Sequence, residues 1–242
     1  MISDMKVAHN IFKSSASYPE HALVVMFDLE EFSKFFSQPD VQMYVPKYLN
    51  SILNCMNIII YGGEAYWYRD EKDEPTKYNA LPIPLHIKFL GDGMLYIWKF
   101  NDFKKDNIVE FINRLWNLKI SFDDVVEKCS EDVPVIDIPK NIRFGISAGS
   151  VYKLTYQNSK RDEYIGYSIN LASRLQNYCK ELGFIVSGRV TTPKKLMDEN
   201  KYTKAVASKL EGFPNEIVYV DSSEFDLLDE SLKSRLFVIL PK

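Results

Sequence analysis

Two aspartates stand where a β-sheet could bring them to one spot. Asp28 lies near the end of the apolar run HALVVMFDL, from His21 to Leu29, and Asp92 lies between two glycines in IKFLGDGMLYIW. The first run reads as a buried central strand with an acid at its carboxyl end, the second as a tight hairpin with an acid at its tip. Two ionised carboxylates in one partly dry site repel each other, so a cation is expected between them. Magnesium or manganese suits the pair, because hard divalent ions take oxygen ligands and leave positions open for phosphate. Two such ions flanking an oxygen nucleophile and a phosphoryl group form the arrangement used for in-line displacement. Each acid alone also suits a plainer post, Asp28 as a helix cap and Asp92 as a turn residue.

A third polar element lies in GYSINLASRL. Asn170 and Arg174 are four residues apart and so share one helical face. An amide beside a guanidinium suits a ribose oxygen and a phosphate in transfer, since the planar fork of arginine spans two phosphate oxygens and a lysine cannot. In isolation such a pair is equally a solvated helix face.

The surrounding chain must supply elements that hold these groups. DVQMYVPKYLNSILNCMNIII has helical spacing, with Gly62-Gly63 as its stop signal, and EAYWYR alternates like a strand. A helix is expected from about Asn107 to Ile120. IRFGISAG and VYKLTYQ read as a pair of strands around a glycine turn, and Tyr167 to Leu182 as an amphipathic helix with Ile169, Ala172, Leu175 and Cys179 on its apolar face. A strand FIVS, a short helix opened by Thr192-Pro193, and the runs VASKLEG and EIVYVD complete the order. The charged, aperiodic stretches near 69–83 and 121–140 read as surface insertions. The pattern predicts an α/β (α+β) sandwich, a mixed sheet with helices on one face.

Composition narrows the function classes. The chain of 242 residues is 46% hydrophobic and 26% charged, enough for one packed domain over 1–242 and unlike a disordered chain. A net charge of −3 argues against a surface that neutralises the phosphates of a nucleic acid, though a nucleotide can be met by metal ions and a few local cations. Cys55, Cys129 and Cys179 lie far apart with no paired spacing, so reduced, partly buried thiols are expected. His9, His21 and His86 are equally scattered, which excludes a histidine-rich metal motif. With no apolar run of bilayer length and no signal-peptide pattern, the expected location is cytoplasmic.

FDLEEFSKF, IKFLGDGMLYIW, IRFGISAGSVY, EYIGYSINLASRLQ and KLEGFPNEIVYV follow the order of the class III nucleotide cyclase catalytic domain, and the chain resembles that family from about Ala22 to Val220. The resemblance implies the ferredoxin-like mixed sheet of that class. It implies that Asp28 and Asp92 bind two Mn2+ or Mg2+ ions per site, with the carbonyl of Leu29 as a further ligand. The amides around Glu31, Phe32 and Ser33 would cradle the triphosphate, Asn170 would orient the ribose, and Arg174 would stabilise charge as the 3′ oxygen attacks the α-phosphate. Lys88 falls where adenylate-type members place a base-contacting lysine. Its usual partner position, before Gly166, holds Glu163, Tyr164 and Ile165. Two positions depart from the family: Ser150 replaces a basic residue, and Glu211 stands where a lysine is usual.

In that family the acids come from one subunit and the base, ribose and arginine groups from the other. A chain with both half-sites is therefore expected to form a two-fold homodimer with shared sites. Its stand-alone form and the EYIGYSINLASRLQ wording look most like the pyrimidine (uridylate or cytidylate) cyclases of bacterial antiphage defence, whose product activates a separate effector. The expected activity is conversion of UTP, ahead of CTP, to a 3′,5′-cyclic monophosphate, with Tyr61, Tyr66 or Tyr68 filling the space of a second purine ring. Adenylate cyclase activity, or an inert nucleotide-binding module, are the alternatives.

Overall fold

A computed structural model describes residues 11–13, 17–65, 76–104, 107–131, 133–157, 161–190 and 201–239. Thr192-Pro193, Tyr66 and Tyr68 lie outside the described residues. The centre of the fold is β1 (Glu20–Leu29), in which Ala22 to Phe27 are all buried. Such a run cannot show the alternation of a half-exposed strand, because both of its faces are covered. After the short helix α1 (Phe32–Phe36) comes α2 (Val45–Tyr61), with proline in its first turn and Gly62 as its cap. The strands β2 (Gly63–Ala65) and β3 (Thr76–Tyr78) form a separate two-stranded ribbon.

The hairpin expected around Asp92 is formed by β4 (His86–Phe89) and β5 (Gly93–Lys99). Two helices follow, α3 (Asn107–Ile120) and α4 (Phe122–Ser130). The second corrects the reading of 121–140 as an insertion. Phe122, Val125, Val126 and Cys129 recur at helical spacing and are buried, so this segment belongs to the core.

The next expectation is also corrected. Instead of two strands turning at Gly149, a single strand β6 (Ile142–Thr155) runs through that glycine and pairs with β1 from Glu20↔Val151 to Leu29↔Ile142. Its hairpin partner is β7 (Asp162–Ile165). The helix α5 (Tyr167–Gln176) is shorter than the amphipathic pattern, which continues into a turn that still buries Cys179. The chain ends with β8 (Phe184–Ser187), β9 (Tyr202–Ala207), β10 (Glu216–Asp221), α6 (Ser222–Leu227), α7 (Glu230–Leu236) and β11 (Phe237–Ile239). The main sheet has the order β11-β9-β10-β8-β6-β1-β5-β4, and its β6–β8 pair is parallel while the others are antiparallel. The expected α/β sandwich with a mixed sheet is therefore what the chain forms.

The two faces of the sheet are covered by different helices. Leu23, Val25 and Phe27 of β1 pack with residues of α2, α3 and α4 in the largest core cluster. The alternate residues Ala22, Val24 and Met26 join Leu95, Ile97 and Ala172 on the opposite face, where α5 lies. The helices are therefore split between the faces, which corrects the expectation that they share one: α1 to α4 pack on the first, while α5 lies on the other in one cluster with Phe225 of α6 and Leu232 and Leu236 of α7. Helix α5 can lie there because β6 offers Gly145: a Cβ there would stand 2.0 Å from the carbonyl oxygen of Ala172. Among the described residues, no helix is long and apolar enough to cross a membrane. Gly145→Val should force α5 off the sheet and lower stability by about 1–3 kcal/mol, the usual cost of overpacking a close contact; urea unfolding monitored by far-UV circular dichroism measures it.

Candidate active site

The register of β1 brings its terminal acid to the hairpin tip. Asp28 stands opposite Gly93 on one side and Arg143 on the other, and the Leu29 amide donates to the Asp92 carbonyl at 2.9 Å. Glycine is required after Asp92, because a Cβ on Gly93 would lie 1.8 Å from the Phe27 carbonyl. The backbone thus brings Asp28 and Leu29 beside Asp92, and Asp28 is not a cap: the residue before α1 is Glu31, at φ 58° and without a side-chain cap bond.

Arg143 was not foreseen. Its guanidinium donates to Asp28 Oδ2 at 3.0 Å, and its Nε lies 3.2 Å from Glu30 Oε1, an ion-pair distance without hydrogen-bond alignment. Burial raises the Glu30 carboxyl above its ordinary value, and the nearby Asp28 charge adds to this, while Arg143 opposes it. The other carboxylate oxygen, Asp28 Oδ1, is buried without a hydrogen-bond partner. A buried, half-satisfied carboxylate next to a second acid is the donor set that a hard divalent ion would complete. Among the described residues no three His, Cys, Asp or Glu side chains gather as a metal group.

Phe32 and Ser33 open α1, directly after this strand end. As its first two residues, they have amides with no acceptor inside the helix. Phe32 packs against Phe35 and Phe36, and Ser33 is exposed. A cleft of about 270 Å3 opens beside them, lined by Glu30, Glu31, Lys34, Lys140 and Asn141 among others.

A second polar group forms on the α5 face of the sheet. Lys88 of β4 reaches across to β7 and donates to Glu163 Oε2 at 2.8 Å. His86, two residues earlier on the same face, places Nε2 3.8 Å from the same oxygen, and its ring lies against Tyr164 with centroids 5.3 Å apart. The His86 imidazole is shifted below its ordinary value, mainly by burial with Lys88 adding, while Glu163 opposes the shift. Lys88, Glu163 and Tyr164 are therefore brought together. Tyr61 is not with them. It lies in the cluster on the opposite face, edge-on to Tyr96. The sheet separates it from Lys88, which corrects its assignment to a base pocket.

The third group is on α5. Leu171 and Leu175 face the core, which turns Asn170 and Arg174 outward to solvent. Arg174 pairs with Glu211 at 3.0 Å and remains half exposed. The acid that replaces the expected lysine thus holds the arginine. Within the described chain no contact joins Asn170 or Arg174 to Asp28 or Asp92.

No family model matches the sequence, and no curated protein matches it. Solved structures do. The guanylyl cyclase Cya2 is 12% identical, with 86% of this chain and 94% of that one covered and a TM-score of 0.58. The adenylyl cyclase CyaB from P. aeruginosa is 18% identical, with 88% and 100% covered and a TM-score of 0.57. A bacterial light-regulated adenylyl cyclase is 14% identical over 92% of this chain and 57% of that one, with a TM-score of 0.55. The fold is that of class III nucleotide cyclase domains.

Arg143→Met should cost about 1–3 kcal/mol at pH 7, because it leaves the Asp28 and Glu30 carboxylates partly buried, adjacent and unpaired. The Glu30 carboxyl, already raised by burial and held back by Arg143, then rises further, so the loss should shrink as the pH falls and Glu30 takes up a proton. Urea unfolding of both proteins at pH 7 and near pH 4.5 measures the difference.

Proposed function

We propose that the protein is a nucleotide cyclase that converts a pyrimidine nucleoside triphosphate, UTP ahead of CTP, to its 3′,5′-cyclic monophosphate and pyrophosphate. The observation that carries this reading is the end of β1, where a buried carboxylate oxygen of Asp28 without a partner lies beside the hairpin that bears Asp92. Bound Mg2+ or Mn2+ would supply Lewis-acid activation of the ribose 3′ hydroxyl and of the departing pyrophosphate. Asp28, Asp92 and the carbonyl of Leu29 would hold the ions, with Arg143 fixing the orientation of Asp28. The amides of Phe32 and Ser33 would receive the triphosphate. Asn170 would orient the ribose. Arg174 would leave Glu211 for the phosphate, where it acts on charge that develops during transfer.

The base reading rests on Lys88 and Glu163. An ammonium beside a carboxylate offers a donor next to an acceptor, which matches the O4 carbonyl and N3–H of uracil. At the same position a lysine would meet the amino group of cytosine, donor against donor. Tyr164 and His86 crowd that edge of the sheet and would exclude a second ring. By the resemblance of the sequence, the product would be a second messenger of antiphage defence, read by a separate effector.

The separation of Arg174 from the acids within one chain supports a two-fold homodimer, each site taking its acids from one subunit and its base, ribose and arginine groups from the other. Incubation with Mn2+ and equal concentrations of the four ribonucleoside triphosphates, with products resolved by mass, should give mainly cyclic UMP. Dominant cyclic AMP would overturn the base choice alone; no cyclic product from any triphosphate would overturn the cyclase itself. Arg174→Ala should lower kcat about 10²–10³-fold with KM little changed, as expected for a group that acts on the transition state. Asp28→Ala should be inactive, yet mixing it with Arg174→Ala subunits should restore one working site per mixed dimer. Absence of rescue in subunits shown to exchange would place the site within one chain.

A further inference from the structure

Cys55 of α2 and Cys129 of α4 are 74 positions apart in sequence, but their sulfur atoms lie 3.7 Å apart. The pair sits where α2 meets α4, with Cys129 buried and Cys55 half-buried at the rim of the same core cluster. Both are free thiols whose sulfurs are in van der Waals contact, against the ~2.05 Å of a disulfide bond. The contact is directional: Cys129 donates its S–H to Cys55 Sγ. That hydrogen bond lowers the Cys55 thiol below its ordinary value against the effect of burial, with the Lys128 ammonium assisting, and the same contact pushes Cys129 up. Cys55 is also the more exposed of the two, so it is the sulfur a peroxide can reach, with buried Cys129 beside it. Cys179 belongs to a different cluster and is pushed up to about 11, chiefly by burial.

We propose that Cys55 and Cys129 form an oxidation site that takes a hydroperoxide and closes to an intramolecular disulfide between α2 and α4. The Cys55 thiolate attacks a peroxide oxygen, the O–O bond breaks, and the leaving oxygen departs as water (or an alcohol) after taking a proton, which leaves Cys55 as a sulfenic acid. Cys129 then loses its proton and attacks the sulfenic sulfur; the S–S bond forms, the S–O bond breaks, and a second water leaves. Two electrons pass from the two thiols to one peroxide. The closed loop runs from Cys55 to Cys129 and contains Lys88 and Asp92, so the bond would constrain the unfolded chain over that stretch. The inference does not depend on the proposed cyclase activity.

The test treats reduced protein with one equivalent of hydrogen peroxide, alkylates the remaining thiols after denaturation, and reads intact mass and peptide maps. The expected result is a loss of 2 Da, one alkylated cysteine (Cys179), a Cys55–Cys129 linked peptide, monomeric mobility on a non-reducing gel, and full reversal by dithiothreitol. Cys179→Ser should behave like the natural protein. Cys129→Ser should stop at a sulfenic acid on Cys55 that dimedone traps, and Cys55→Ser should give no crosslink; circular dichroism checks that each is folded. Stable sulfinic acid at Cys55 in the natural protein, crosslinks between chains, or three alkylated thiols after peroxide would each overturn the proposal.

Discussion

The register of β1 between β5 and β6 is the constraint on which the rest depends. Side chains alternate across a strand, so a slip by one residue would carry Asp28 to the face packed by α2, α3 and α4 and bury it among Phe27's neighbours. Six consecutive buried residues, three to each face, fix that register by burial alone, because each has its own cluster to fill. Asp28 then lands opposite Gly93 and Arg143 without any further instruction. Arg143 matters because the strand end is only partly exposed: a carboxylate there, adjacent to Glu30, requires a compensating charge in the absence of an ion. The same arginine leaves Oδ1 of Asp28 unpaired, so it stabilises the acid without satisfying it.

Much of this was legible in the sequence. The apolar run ending in Asp28, the glycine-flanked Asp92 and the spacing of Asn170 and Arg174 announce themselves by residue type, and strand and helix periods locate them. Glycine ended α2 correctly, because a helix stop acts locally. What escaped was non-local. Gly149 looks like a turn, yet β1 pairs continuously on both sides of it, and that ladder outweighs the local preference. The α4 segment looks polar because its buried residues are separated by Asp123, Asp124, Glu127 and Lys128, which form the outer face. Arg143 gives no local signal at all; its partner is 115 positions away and is found only through the antiparallel register.

The tyrosines show a further limit. Tyr61 has the right residue type for stacking, and strand or helix assignment alone does not say which side of the sheet it faces. The ring contact with Tyr96 decides it. By contrast, Glu163 and Lys88 lie 75 positions apart and were related only through a family pattern, yet their side chains meet.

Three polar groups stay apart in the folded chain, each neutralised on its own: Asp28 by Arg143, Lys88 by Glu163, and Arg174 by Glu211. A single-chain site would be expected to fold with its acids and its arginine facing one another, since their attraction would otherwise go unused. Here α5 is held by Leu171 and Leu175 with Arg174 turned to water and paired with Glu211. The local partners are also unequal in strength. Arg143 and Asp28 are largely buried, whereas Arg174 and Glu211 are exposed, and an exposed ion pair contributes only about 0–1 kcal/mol. The Arg174–Glu211 pair is therefore the more easily parted of the two. The Asp28–Arg143 pair is thus a fixed part of the sheet, while Arg174 is held only at its surface.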